Sequence, residues 1–330
     1  MRNKTIVVIG GGTGIFSVLS GLKKYPVNLS AIVTMADSGG STRVLREEFG
    51  ILPPGDIRRA LVALAGSEKL LASLFNYRFK EGGLSGHNFG NLLITALERI
   101  KGDFEKAIEE AGKILNIRGQ VIPVTLGNTN LYAVLENGQV IEGETNIDIP
   151  KHNPHLKIKK VYLKPKIKAN KKAIAALLKA DLIVIGPGDL YTSIIPNLLV
   201  KGISRAIKRS KAKKVYICNL MTKWGETNNF TGYDFIKEIE NYLNRLAKHS
   251  RRAGSSVPRR VLDYVIFNTK KPLFLRIAKY EKEGAAFVNF NKKKFLKEEF
   301  QIIKGNFLRT KGFIRHDPVK VAKALLRIIQ

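Results

Sequence analysis

An α/β fold built on a mostly parallel sheet, with helices on both faces, is what this sequence predicts, and three observations predict it. Strand-like apolar runs alternate with helix-length segments in the first and last thirds of the chain. Several of those strands run straight into glycine-rich polar loops. No apolar stretch approaches the roughly eighteen residues of a membrane span, so the apolar content belongs to a buried core. Strands separated by crossover helices pair in parallel and are covered on both faces. The middle, near 120–165, breaks the rhythm and reads as a β-rich insertion or sheet extension. The 330 residues are read as a single domain, 1–330, with that subregion inside it.

Taken in order, residues 5–9 form the first strand, 10–14 a glycine cluster and 15–24 a helix. A second strand covers 27–35. The next helix covers 56–65, with Asp56 as its N-cap after Pro53-Pro54-Gly55. Helices follow at 69–77, 88–100 and 104–115; Leu92, Leu93, Ala96, Leu97 and Ile100 give the second of these an apolar face. The period then changes to strands at 120–126, 131–136 and 139–142, with Asn137-Gly138 as a hairpin turn. A further strand, 156–163, alternates apolar residues with lysines. The α/β rhythm resumes with a strand at 181–185, a helix at 193–209, a strand at 215–218, a helix at 233–247 and a strand at 261–267. Asp317 as N-cap and Pro318 at the first helical position open a last helix over 319–329. Residues 251–256 read as a flexible loop.

Fifty-seven Lys and Arg stand against 27 Asp and Glu, a formal net charge of +30. The densest run, 151–179, has no acid and holds Lys157, Lys159, Lys160, Lys164, Lys166, Lys168, Lys171 and Lys172. Residues 208–214, Arg251-Arg252 and Arg259-Arg260 add further basic clusters. Such charge attracts nucleic acid or an anionic membrane. Tyr162 is the sole aromatic in the densest run, however, and no nucleic-acid-binding motif appears, so a solvated lysine surface is the favoured reading. Cys218 is the only cysteine, which excludes an internal disulfide and suits a reducing compartment. No histidine pair has zinc-ligand spacing. With the first strand beginning at residue 5 and leaving no room for a signal peptide, a cytoplasmic location is expected.

The chemistry concentrates at Gly10-Gly11-Gly12-Thr13-Gly14. A strand that enters a helix through glycines offers backbone N–H groups to a phosphate, and the helix N-terminus adds partial positive charge. The dinucleotide pattern G-x-G-x-x-G fails, because its third glycine falls on Ile15 or Ser17. The phosphate-loop pattern fails as well: Asp56 stands where a lysine should follow the Gly50–Gly55 spacing. Three other polar loops, 36–42, 186–193 and 219–227, also sit at strand ends, where parallel sheets bind their ligands. Asp37 is a candidate for ribose hydroxyls or, with Asp56, for Mg²⁺; the alternatives are an Asx turn and a helix cap. Ser38, Ser41 and Thr42 are hydroxyl donors to phosphate or caps of the following helix. His87 and Asn88 are candidate ligand contacts beside Gly90, with Asn88 otherwise an N-cap. Lys23, Arg43, Arg58 and Arg59 are candidate phosphate clamps, and Tyr191 and Trp224 stack on a base or pack the fold. With no G-x-S-x-G elbow and no histidine–acid pair, catalytic residues stay unassigned and the pattern speaks for binding more than turnover.

Gly10-Gly11-Gly12-Thr13-Gly14, Asp37-Ser38-Gly39-Gly40-Ser41, Pro53-Pro54-Gly55-Asp56-Ile57-Arg58, Gly86-His87-Asn88-Phe89-Gly90-Asn91, the loop from Gly186 to Leu198 and Cys218-Asn219-Leu220-Met221-Thr222 stand together in this order. In that combination the sequence resembles the bacterial gluconeogenesis factors, which are homologous to 2-phospho-L-lactate transferase. The resemblance runs from the first strand to about residue 268. It implies a Rossmann-like sheet and a cytoplasmic protein that binds a nucleotide-sugar such as a UDP-sugar. It also implies a regulatory role in cell shape and envelope synthesis on gluconeogenic carbon. The alternative it implies is a Mg²⁺-dependent transferase acting on a deazaflavin alcohol with release of GMP. A basic nucleic-acid- or envelope-binding scaffold is the third reading. Carried onto this chain, the nucleotide contacts are Gly11, Gly12, Thr13, Gly14, Asp37, Ser38, Gly188, Asp189, Tyr191, Ser193, Asn219 and Thr222. A second ligand falls to Arg58, His87, Asn88 and Asn91, and Mg²⁺, where used, to Asp37 and Asp56. Arg43 and Asp189 depart from the usual pattern, in which smaller residues stand. A small-molecule partner is expected, and the oligomeric state is left open, a homo-oligomer included.

Overall fold

The computed structural model describes residues 2–66, 69–245, 260–290 and 300–330. Strand β1 (Thr5–Gly10) is buried from Ile6 onward, which is why it reads as an unbroken apolar run rather than an alternating one. It pairs in parallel with β2 (Asn28–Val33) on one side and with β7 (Leu182–Ile185) on the other. Outside these lie β3 (Gln120–Pro123) beyond β2, and β8 (Lys213–Ile217), β9 (Tyr264–Asn268) and β10 (Gln301–Gly305) beyond β7, all parallel. The chain leaves β1 in one direction and returns to its other side only at β7. Strand order therefore reverses between β1 and β7, and their carboxyl ends frame a crevice.

Helices α1 (Gly12–Leu22), α3 (Gly55–Leu64), α4 (Lys69–Asn76), α5 (Phe89–Lys101) and α6 (Phe104–Ile114) fall within three residues of their expected bounds. Helix α2 (Gly40–Phe49) starts earlier than its expected caps: Gly39 holds the cap position, so Ser41 and Thr42 lie inside the helix and do not cap it. One detail is corrected. Asp56 does not cap α3: Pro54 holds the cap position, and Asp56 lies one residue inside, buried and paired with Arg59. Asn88 does cap α5, accepting the Asn91 N–H.

The β-rich stretch divides in two. β3 joins the main sheet as an edge strand, while β4 (Asn130–Leu135), β5 (Val140–Glu142) and β6 (Ile158–Lys164) form a separate antiparallel sheet. Burial alternates along β4, as expected for a sheet with one wet face. Its dry face, including Leu131, Ala133, Leu135 and Val161, is continuous with the main core. All ten lysines of residues 151–179 are exposed, a solvated surface as expected.

Two short helices were not legible: α7 (Glu144–Asp148) spans barely a turn, and α8 (Lys171–Lys179) is hidden in the lysine run with only Ala173 and Leu177 buried. The helix expected at 193–209 is broken. A π-helical turn, Leu190–Ile194, leads into α9 (Ile195–Leu199), and α10 (Ile203–Arg209) restarts after Gly202, whose φ of +114° a side chain would resist. α11 (Gly232–Asn244) opens on a capping box of Thr231 and Asp234. The remainder of the expected helix to 247 and the expected loop at 251–256 fall partly or wholly outside the described residues. α12 (Phe274–Glu281) and β10 also had no sequence signal.

The terminal helix α13 (Pro318–Ile328) starts as read. Asp317 accepts the N–H groups of Val319 and Lys320 at 2.9 and 3.0 Å. The helix docks on α1 so closely that a Cβ on Gly21 would lie 2.1 Å from the Pro318 carbonyl. Asp317→Ala is expected to cost about 1 kcal/mol, measured as a lower urea midpoint at unchanged slope.

Candidate functional site

Two glycine loops meet at the β1–β7 crevice. A Cβ on Gly14 would lie 2.1 Å from the Pro187 carbonyl oxygen and 2.8 Å from Gly188 Cα, so only glycine lets them touch. Gly11 is constrained from the other side, where a Cβ would lie 2.5 Å from an Asp56 oxygen. Gly11 caps α1 without a side-chain partner. The Gly12 N–H turns to Asp56, which leaves Thr13 and Gly14 to present the first-turn donors to a ligand.

The crevice opens into a cleft of about 570 Å³. Its floor comes from Gly11, Gly12, Thr13, Gly14, Ser17, Pro187, Gly188 and Ser193. The loop after β8 supplies a side wall through Asn219, Thr222, Lys223 and Trp224. Asn219 is also a positioning group: its Nδ2 donates to the Gly188 carbonyl at 2.7 Å, and its Oδ1 accepts from Tyr216. The outer wall is Tyr280, Glu283, Ala285, Ile314, Arg315 and His316. This wall packs on a small apolar cluster of its own, Leu220, Ile277, Leu308 and Ile314, apart from the main core.

At the mouth, Lys223 Nζ sits 2.7 Å from Asp148 Oδ1 and 3.5 Å from Asp189 Oδ2. Burial works against its charge, but Asp189, Glu226 and Asp148 outweigh burial and hold the ammonium above the ordinary lysine range. Those three acids bring one oxygen each within 4.8 Å of one another, the tightest grouping of carboxylates in the described residues. Lysine already supplies their counter-charge. Glu226 is itself committed to the fold, accepting the Tyr191 N–H and the Thr192 hydroxyl.

A second acidic group lies behind the first loop. Asp37 accepts from the Gly39 N–H at 3.0 Å, an Asx turn, and from Thr42 Oγ1 at 2.8 Å. Asp56 pairs with Arg59 at 2.8 Å. Burial first, and then the negative charge of Asp37, push Asp56 up to about 6 against the pull of Arg59. Glu144, from α7, accepts from the Ser38 N–H, and burial with the neighbouring Asp37, Asp148 and Asp56 pushes it up to about 8. An ordinary glutamate titrates near about 4.3, so the folded state holds this proton through a window that the unfolded chain does not. Stability contributed by Glu144 is therefore full below about pH 4 and lost as pH rises through about 8. In EDTA, Glu144→Gln is expected to flatten the decline in stability between pH 6 and 8 and to gain on the order of 1–2 kcal/mol at the alkaline end, read from urea unfolding at each pH.

Of the residues expected at the site, Gly11, Gly12, Thr13, Gly14, Gly188, Asp189, Ser193, Asn219 and Thr222 line one cleft. Asp37, Ser38 and Asp56 belong to the acidic group behind it. Tyr191 points away, buried, with its hydroxyl on Glu238; Trp224 and Tyr280 are the aromatic residues that line the cleft, and of these the sequence singles out Trp224. Arg58, Asn88 and Asn91 are buried together: Arg58 donates to Asn91 Oδ1, Asn76 Oδ1 and the Phe75 carbonyl, so it is bound up in the fold. His87 lies at the edge of this network, 3.4 Å from Ser41 Oγ. Lys23 donates to the Ala65 carbonyl, and Arg43 is an exposed partner of Glu47. Sequence reasoning missed Glu144, Asp148, Arg315 and His316, which come from short or unpatterned segments. His316 is 5% exposed, and burial, opposed by a hydrogen bond with the Cys218 backbone, lowers it to about 4. It meets the cleft as a neutral imidazole, with Nε2 unpartnered among the described residues.

A mostly parallel sheet, with apposed glycine loops at the reversal of strand order, defines a Rossmann-like α/β protein with its cleft at the carboxyl ends of the strands. Residues 6–308 match the family of 2-phospho-L-lactate transferase CofD, and the chain belongs to that family. Its relatives include a gluconeogenesis factor of Halalkalibacterium halodurans, 44% identical over 99% of this chain and 97% of that protein. The gluconeogenesis factor of Bacillus subtilis is 40% identical over 98% of both. A putative gluconeogenesis factor of Nostoc is 45% identical over 99% of this chain and 69% of its own length. The crystal structure of a UPF0052-family protein of Bacillus halodurans superposes with a TM-score of 0.90 at 42% identity, covering 99% of each chain.

Proposed function

We propose that this chain is a cytoplasmic gluconeogenesis factor that binds a nucleotide-sugar, a UDP-sugar by preference, and acts through the bound state rather than by turnover. The observation that carries this reading is the direct apposition of the loops at Gly14 and Pro187. Two strand-to-helix turns share one crevice there, a seat for a diphosphate. Trp224 is the surface for a base, and Lys223, Asp148 and Asp189 are the polar groups for ribose or sugar hydroxyls. The names of the full-length relatives support a role in growth on gluconeogenic carbon, and from it the role in cell shape and envelope synthesis follows as part of the proposal. The test is calorimetric titration with UDP-sugars, GDP, GTP and NAD, with and without Mg²⁺. Saturable binding of a UDP-sugar in preference to NAD is expected; no heat with any UDP-sugar overturns the reading.

One observation favours a second reading, a Mg²⁺-dependent transfer of a phosphorus-containing group. Asp37, Asp56 and Glu144 crowd together, opposed by Arg59 and, around Asp37 and Asp56, by Arg46 and Arg58, and oxygen-rich carboxylate sites of this kind suit Mg²⁺. The ion would supply charge stabilisation to a phosphate, with Asp37 and Asp56 as its holders. The family match points the same way. Nucleotide release from an activated phospholactate in the presence of a deazaflavin alcohol would support it; release that survives Asp37→Asn with Asp56→Asn would remove both acids from the role.

A further inference from the structure

On the outer face of the unit that walls the cleft, Leu273, Phe274 and Leu275 at the start of α12 are 74%, 76% and 79% exposed, and Phe313 is 69% exposed. The Arg276 guanidinium donates to the carbonyls of Arg309, Thr310, Gly312 and Phe313 at 2.8–3.3 Å, tying the 309–313 turn to the helix. The Arg315 guanidinium lies 5.2 Å from the centre of the Phe313 ring. Four large apolar side chains standing in water on a braced support are costly unless something covers them.

Their surroundings indicate what does. Residues 269–280 and 301–316 contain no acid, and around the apolar tip they carry Lys270, Lys271, Arg276, Lys279, Arg309, Lys311 and Arg315. The nearest acids of α12 and the turn after it, Glu281 and Glu283, stand at the opposite end of that helix, with Glu283 in the cleft wall. An apolar wedge ringed by cations is complementary to a surface that is apolar inside and anionic outside. A second copy of this chain would bring the same cations face to face, against a net charge of +30 on each partner. Among the described residues no helix is long and apolar enough to cross a membrane, so the contact is peripheral.

We propose that Leu273, Phe274, Leu275 and Phe313, with the lysines and arginines around them, form a docking surface for an anionic lipid bilayer. The apolar tip inserts at the headgroup boundary, and the exposed Lys270, Lys271, Lys279 and Lys311 engage lipid phosphates, while Arg276 braces the support. The cleft lies on the other side of the same wall, so docking sets its mouth beside the bilayer.

The test is co-sedimentation of the full chain with phosphatidylcholine vesicles and with vesicles containing about 30% phosphatidylglycerol, near 0.1 M salt. Binding to the anionic vesicles alone is expected. The double variant Phe274→Ser with Leu275→Ser is expected to lower the partition coefficient at least tenfold, and Lys270→Glu with Lys271→Glu to do the same. Both pairs are exposed, and thermal melts matching the parent establish that the variants are folded. Unchanged binding by the serine variant means that net charge alone adsorbs the protein and overturns the proposal. So does absence of binding to anionic vesicles, or a sedimentation-velocity dimer of the parent that the serine variant abolishes, which would make a second copy the occupant.

Discussion

Gly14→Ala is expected to lower affinity for the nucleotide-sugar at least a hundredfold, about 2.7 kcal/mol, while leaving a folded protein. The Cβ would fall 2.1 Å from a backbone carbonyl that is itself held in the loop after the central strand β7. The side chain cannot rotate away from such a contact, so the loops must part. Overpacking of this kind costs about 1–3 kcal/mol of stability, and the parting also displaces the N–H groups of Thr13 and Gly14. Calorimetric titration, with circular dichroism to verify the fold, measures both. Gly50→Ala is the control: nothing lies near its Cβ, and the price is confined to a left-handed φ at the end of α2, remote from the cleft. Equal affinity losses in the two variants would mean that the apposed loops do not hold the ligand.

Lys223→Met is expected to destabilise the protein by about 2 kcal/mol at pH 8. Removing one partner of a buried ion pair costs about 3–5 kcal/mol, and the figure is reduced here because Lys223, Asp148 and Asp189 are partly exposed. The gap between parent and variant moves with pH in the same direction as for a simple salt bridge, but over a higher range. Without the ammonium, Asp148, Asp189 and Glu226 repel one another and take up protons in the folded state. Their contribution is therefore restored as pH falls and lost as it rises. The gap between parent and variant should close toward pH 5 and be widest at pH 8, in urea titrations at each pH. A gap independent of pH would mean that Lys223 acts through packing of its stem. The variant should also gain a stabilising response to Mg²⁺ that the parent lacks, because three oxygens within 4.8 Å would have lost their resident cation.

The sheet and the floor of the cleft were legible because their signals are local. An unbroken apolar run such as 6–9, a glycine cluster after it and a helix behind it specify a buried parallel strand and its loop without reference to the rest of the chain. Asp317-Pro318 likewise specifies a helix start by itself. What stayed hidden depends on contacts across sequence. Asp56 reads as an N-cap because it follows Pro53-Pro54-Gly55; only the approach of Arg59 and the Gly12 N–H shows it to be a buried ion-pair member. Tyr191 reads as a stacking group because it follows a glycine loop, but the π-helical turn rotates it onto Glu238. Lys223 sat in a loop already singled out, yet its importance comes from Asp148, 75 residues earlier in the chain. His316 and Arg315 lie in a segment with neither period nor turn signature.

The outer wall of the cleft rests on four buried apolar residues, Leu220, Ile277, Leu308 and Ile314, whereas the floor belongs to the main core. A satellite cluster of that size has a small opening free energy of its own. The floor is thus expected to behave as a fixed template and the wall as a plate of much lower local stability. Amide protons of Phe274–Glu281 should exchange with solvent orders of magnitude sooner than those of Thr5–Gly10 and Leu182–Ile185. Ligand residence time would then be set by the breathing of this plate, leaving the glycine floor to decide which ligand is chosen.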